Sequence, residues 1–518
     1  MRRFFTQLNI VFGLEIIAVI LAATGFIPRE AILFWTGLAV FYVILAPVKD
    51  ALWLVVASIP LFAALPVSES LDTLADWRII LAVLFLYQFF KHGISSRLIK
   101  DEAGKGWVKE TLKQYALEYL SVGFLLMAAL SIAVADYRIL AFKKLLFLIN
   151  IFLLFLVVRN SARSKESILH VWRAAAVGGI ITTAVALMQF FAVLFASLID
   201  FWQFWASRVI DFFYGQNLSE LLAYSNTWFA YYKSAPPTLR LFSIFPDSHS
   251  FAMFCLLAVP IFLCLAVFYQ QRKRIKIFFW CLGGLSLFGA VFSGSRGVWI
   301  SALPVAIAAL YFWFKETDKK VPKQAVLSLA IFALIFFISA GYPLAFYKYQ
   351  TWQSGQYSSS TISFFERAKS ISDLEEASNQ GRLEIWRESL VSIKNHPILG
   401  VGLGNFISVI GEDISSAKKG ASAHNLYLDI AAEIGIPGLL ILLLMFADIL
   451  WTGWLVWQGA TEPHFKLFGL IFCLYFVWIL GYSFFDVVLL NDKVLLFFMA
   501  EVATLYGLRN IIYDPDKI

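Results

Sequence analysis

The sequence predicts an all-α polytopic integral membrane protein of 12–14 transmembrane helices, and three observations carry that prediction. Hydrophobic residues make up 60% of the 518 positions and charged residues only 15%, against roughly 25% in an ordinary soluble domain. The mean hydropathy of +0.75 is more than a soluble core can hide, because even a large domain keeps much of its surface wet. Apolar runs close to the ~20 residues that cross a bilayer recur from end to end. A row of soluble domains of ~150 residues each is thereby excluded, as are disordered and fibrous chains.

Taken in order, candidate spans fall near 8–25, 31–47, 50–66, 77–91, 117–135, 139–158, 170–197, 250–269, 275–292, 297–314, 324–342, 434–457, 466–482 and 493–510. The shortest of these set the lower limit of twelve. Met1-Arg2-Arg3 runs into the first stretch without a small-residue cleavage site, so that stretch is expected to stay as a span. Cys255, Cys264, Cys281 and Cys473 all lie in apolar surroundings, which argues against a disulfide framework and against a thiolate metal site.

Sidedness follows from Lys and Arg in the connections. With the N-terminus inside, the inner connections carry 21 such residues and the short outer ones five: Arg29, Arg138, Lys143, Lys144 and Arg296. Both termini are then cytoplasmic, and the net charge of +7 reflects this bias and not a nucleic-acid partner. The chain divides into N-terminal helices (1–197), an aromatic-rich outer loop (198–249), central helices (250–342), a large, partly helical outer loop (343–433) and C-terminal helices with a cytoplasmic tail (434–518). Trp202, Trp205, Tyr214, Trp228, Tyr231 and Tyr232 suggest that part of the first loop lies along the headgroup zone.

Chemistry-bearing residues concentrate on the outer side. Leu383, Trp386, Leu390 and Ile393 recur at helical spacing, so 379–395 reads as an amphipathic helix carrying Arg382, with Ser378 or Asn379 as cap and Pro397 as stop. Gly400, Gly402 and Gly404 follow no strand and read as a tight turn rather than a dinucleotide fingerprint. Ser422 is a plausible N-cap, which would place His424 in the first helical turn; there the helix dipole keeps the ring neutral, as a proton acceptor must be. A plain surface histidine fits the same spacing. Ser295-Arg296-Gly297 sits between two spans. An arginine at a helix centre costs about 2.5–3.5 kcal/mol, so Arg296 must face the outer interface or a wet cavity, as a ligand group or a lipid-phosphate anchor. Arg240 through Asp247 to Ser250 precedes another span on the same side. Lys143 and Lys144 run against the charge bias, which points to an anionic ligand or to snorkelling.

In these residues the sequence resembles the bacterial O-antigen ligase and O-antigen polymerase superfamily. The match rests on Ser295-Arg296-Gly297, on Gly381-Arg382-Leu383-Glu384-Ile385-Trp386, and on His396-Pro397 with Gly400, Gly402, Gly404, Asn405 and Phe406. His424-Asn425-Leu426-Tyr427-Leu428 with Glu433, Gly435, Pro437 and Gly438 completes it. The resemblance implies a GT-C-like membrane glycosyltransferase of the bacterial inner membrane with an extracytoplasmic active site. The donor would be a glycan on undecaprenyl diphosphate and the acceptor a glycan or glycolipid; neither cofactor nor metal is called for. By motif, Arg296 and Arg382, and more loosely Arg240, Lys143 and Lys144, would hold the diphosphate. His424 would activate the acceptor hydroxyl, with Asn425, Glu433 and Asp247 in support. His249 abuts a span and His396 precedes Pro397, so neither competes with His424. The only Asp-x-Asp, Asp514-Pro515-Asp516, lies in the tail on the opposite side. A polymerase of lipid-linked repeat units would need the same donor site. A lipid-linked oligosaccharide transporter would instead concentrate polar groups near the midplane, where only Glu15, Asp448 and Glu501 fall.

Overall fold

The computed structural model describes residues 6–67, 74–92, 114–216, 219, 227–230, 237–316, 320–339, 341–343, 345–346, 348–349, 377–410 and 422–513. Among them are ten helices long and apolar enough to cross a membrane, and the shorter apolar helices Gln7–Ala23 and Ala31–Leu45 bring the number to twelve. The protein is therefore an all-α polytopic membrane protein. Its only ladder among the described residues is a two-residue ribbon in which Phe229 pairs with Leu239 and Ala230 with Thr238. Tyr231, Tyr232, the tract Ser358-Ser359-Ser360 and Asp514–Asp516 lie outside the described residues.

Two expected spans fall short, which leaves twelve of the fourteen. Residues 50–66 fold as a ten-residue helix, Val48–Ala57, followed by a 3-10 turn, Ile59–Leu61. Ten residues rise ~15 Å, half of what the hydrocarbon core requires. The stretch is apolar because Ala51, Leu52 and Leu54 through Ala57 are buried in the protein. Trp77–His92, with sixteen residues, lies where the fourth span was expected but is also short.

Burial ranks the helices from centre to rim. Ser248–Phe268 is the axis, with 89% of its span buried, and Asp492–Tyr513 (78%) and Pro463–Tyr482 (72%) pack beside it. Ala116–Val134 is only 28% buried. On the first helix Ile10, Leu14, Ile17 and Ile20 form an exposed apolar stripe, as a surface facing acyl chains requires. The connections assigned to the outer side meet at one end of the bundle. Tyr137 N donates to Asn405 Oδ1 (2.7 Å), Leu426 N to Ser483 O (2.8 Å) and Leu241 N to Phe292 O (3.0 Å). At the other end Lys165 pairs with Glu462 (2.5 Å).

The longest helix, Leu426–Gly459, is broken at Gly435, where φ is 81° and ψ 173°. A short outer half-helix ends there and the spanning part begins with Pro437. The carbonyls exposed by the break are capped from the glycine run, since Val401 N donates to Ala432 O (2.8 Å) and Gly402 N to Glu433 O (2.9 Å). The turn read from Gly400–Gly404 is thus the cap of the half-helix that follows His424. A Cβ on Gly435 would lie 2.1 Å from Ile398 O, on top of the left-handed φ. Gly435→Ala should therefore destabilise the protein by more than about 2 kcal/mol, read as a lowered melting temperature in detergent. Ala at Gly381, where a Cβ meets nothing within 4 Å, is the control.

Candidate active site

The first half of the site is built on the ribbon. Past Leu239 the chain turns under Trp228, which is fully buried and stacked on Phe242 at 4.6 Å, with its Nε1 donating to Pro246 O (2.9 Å). Gln189 Oε1 accepts from Ser243 N (2.7 Å), and Ser243 takes the left-handed conformation. Of the loop's aromatic residues Trp205, Tyr214 and Trp228 are buried inside the protein, while Ile199 and Phe204 of the same loop are exposed. Arg240 Nε donates to Ser293 O (2.7 Å), and its Nη2 lies 3.3 Å from His249 Nε2.

His249, in the first turn of Ser248–Phe268, is the hub. Its Nδ1 lies 2.9 Å from Tyr482 Oη, 3.1 Å from Ser295 Oγ and 3.4 Å from Asp486 Oδ2, and Ser295 Oγ donates to Tyr482 Oη (2.8 Å). Arg240, Arg296, Arg382 and His424 all act electrostatically on the ring. The half-buried Arg296, first residue of its helix, therefore faces this cluster. Asp247 caps the Ser248–Phe268 helix by accepting from Ser250 N (2.7 Å). Burial and then the charge of Asp486 push its carboxyl up to about 6. Burial likewise raises Asp486 to about 6, against the pull of Arg382 and Arg240.

The second half comes from the large loop. The Ala377–Asn395 helix buries Ile385 and Ile393 against Phe406, Val409, Ala423 and Ala432. Its packing face matches the predicted one only in part: Trp386 and Ile393 pack while Leu383 and Leu390 are exposed, and Ser378 and Asn379 lie within the helix instead of capping it. Trp386 Nε1 donates to Ala423 O (3.0 Å), while Ala423 N donates to Asp429 Oδ1 (2.9 Å). The peptide before His424 is held from both sides.

His424 itself is displaced from its expected place. Asn425 is the N-cap, accepting from Tyr427 N (3.0 Å) and Leu428 N (3.2 Å), so His424 precedes the helix with a left-handed φ of 47°. The first-turn dipole argument does not apply. Burial, then Arg382, lowers its pKa below the ordinary 6.5, with Asp247 opposing. Its Nδ1 is buried without a hydrogen-bond partner.

The remaining predicted residues sit differently. Lys144 Nζ pairs with the buried Glu433 at 2.6 Å, tying the half-helix to Arg138–Ser161. Lys143, its neighbour, is exposed. Asp429 lies within electrostatic reach of this pair and of Asp486. His249, Tyr482, Asp486 and Asp429 were not singled out from sequence. His249 stood inside a motif already noted; the others lie beyond the motifs' charged positions, and only their place at outer helix ends hinted at them.

Together these features define a polytopic membrane protein with a half-buried cluster of arginines, histidines and carboxyls at one end of its helical bundle. Residues 281–443 match the family described as O-antigen ligase, which supports the resemblance to the O-antigen ligase and polymerase superfamily. The matched segment carries Arg296, Arg382 and His424, while Arg240 and His249 precede it. The chain is also similar to an uncharacterized protein of Haemophilus influenzae, at 25% identity over 198 residues. That similarity covers 36% of this chain and 45% of the relative, so the chain spans less than half the length of the relative it matches.

Proposed function

We propose that this cluster is the catalytic centre of a membrane glycosyltransferase. It would take a glycan from undecaprenyl diphosphate and pass it to a sugar hydroxyl of a glycan or glycolipid on the extracytoplasmic face of the bacterial inner membrane. The observation that carries the reading is the convergence of Arg240, Arg296 and Arg382 on one half-buried site beside a histidine, His424, with an unpartnered ring nitrogen. His424 takes the proton of the acceptor hydroxyl as its oxygen attacks the anomeric carbon. The bond from that carbon to the diphosphate oxygen breaks, and the electron pair leaves with the lipid diphosphate. Arginine suits the leaving group because its planar fork donates two hydrogen bonds at once, and preorganised cations stabilise charge that grows during bond breaking. An apolar pocket lined by Leu426, Ile430, Leu489 and Leu490 lies against the same half-helix, in keeping with a substrate that is part lipid.

The test is an assay of the purified protein with a defined undecaprenyl-diphosphate oligosaccharide. A longer lipid-linked chain identifies a polymerase, and a glycosylated foreign acceptor identifies a ligase. No transfer to either would sink the reading. Sidedness has its own check, in a variant stripped of the four native cysteines. Cysteine at Ser359 should react with an impermeant maleimide in intact spheroplasts, and cysteine at Ser164 only after lysis. Labelling at Ser164 before lysis would reverse the topology.

A further inference from the structure

Arg240 is useful to a diphosphate only if its planar guanidinium is correctly aimed, and the structure contains a device for aiming it. A guanidinium donates and never accepts, so His249 Nε2, 3.3 Å from Arg240 Nη2, must present its lone pair. The ring proton is then on Nδ1. Three acceptors surround that nitrogen: Tyr482 Oη at 2.9 Å, Ser295 Oγ at 3.1 Å and Asp486 Oδ2 at 3.4 Å. They come from two segments of the chain, Ser295 at one helix start and 482–486 at another helix end, and they fix the tautomer that points the Nε2 lone pair at the arginine. Ser293 O holds Nε of the same guanidinium at 2.7 Å. With Nε and Nη2 both tethered, the plane of the fork is set before any ligand arrives.

We propose that His249 is a positioning residue which, through Tyr482, Ser295 and Asp486, holds the Arg240 guanidinium in the orientation that receives the donor diphosphate. This rests on the reading of the cluster as a lipid-diphosphate site. Both ring nitrogens of His249 are engaged by protein groups, so direct proton exchange with an acceptor glycan is not its task. Its effect belongs to donor binding.

Two near-isosteric replacements separate orientation from mere packing. Glutamine places its amide where Nε2 lies and can accept from Arg240. Asparagine places its amide where Nδ1 lies and can satisfy Tyr482 and Asp486, but leaves Arg240 without its partner. Binding of undecaprenyl diphosphate to the full-length protein in detergent is measured for wild type, His249→Gln and His249→Asn, with melting temperatures taken alongside. The Gln variant should bind within about threefold of wild type and the Asn variant about tenfold more weakly, the effect of losing one hydrogen bond to a charged group. Equal affinity in the two variants, whether both strong or both weak, overturns the assignment. If wild type itself fails to bind undecaprenyl diphosphate, the underlying site reading falls first and takes this inference with it.

Discussion

Replacing His424 with alanine should lower turnover by roughly 10²–10⁴-fold, the usual contribution of positioned acid–base catalysis, while lipid-diphosphate binding persists. Binding should survive because the arginines remain, and because the backbone around residue 424 is held by Trp386, Asp429 and Asn425, not by the imidazole. The wild-type rate should also report the ring's protonation. A base must be neutral, and burial with Arg382 lowers the pKa of His424 below its ordinary 6.5. The competent form then dominates at pH 7, and turnover should fall only as acidification passes through that lowered value. A pH–rate profile from 5 to 8 checks this: an acid limb centred above 6.5 contradicts the assignment. A folded alanine variant that turns over normally removes His424 from the mechanism, and one that loses donor binding recasts it as a diphosphate ligand.

Arg382→Lys and Arg296→Lys should each weaken donor use by about ten- to a hundredfold. Lysine preserves the charge but not the planar pair of donors, and hydrogen bonds to charged groups are worth roughly 1.5–3 kcal/mol. Arg382 acts on His249, His424 and Asp486 together, so its lysine variant is expected to suffer more than that of Arg296, which acts on His249 from a helix start. Donor titrations with purified protein give the answer. Full activity in both variants would mean that the two arginines only anchor the protein at the lipid surface.

Much of this could be read from the chain because membrane solvent writes strongly onto sequence. Every long apolar run became a helix, and where the reading failed, at 50–66, buried protein and lipid make the same demand on composition. The buried place of Trp228 was hidden for a related reason, since it reads alike whether it meets a headgroup or Phe242. His424, Arg382, Arg296 and Arg240 were visible because they stand in local motifs. His249 and Ser295 stand in those motifs too, but their network was not legible, because it joins positions far apart in the chain: His249 meets Tyr482 across 233 residues. Capping also misled the reading. Ser422 and Asn425 are both good N-caps, and only the folded chain, with Ala423 held by Asp429, decides for Asn425.

The interruption at Gly435 also separates two mechanical regimes. Below it the helix answers to the bilayer, and must tilt or shift as membrane thickness and lateral pressure change. Above it the half-helix is moored to other parts of the protein, to Lys144 through Glu433 and to Ser483 through Leu426 N. A rigid 34-residue rod would transmit each tilt to the reacting end as a lever. With the break two residues before Pro437, the reacting end takes its registration from these moorings and not from the shaft below.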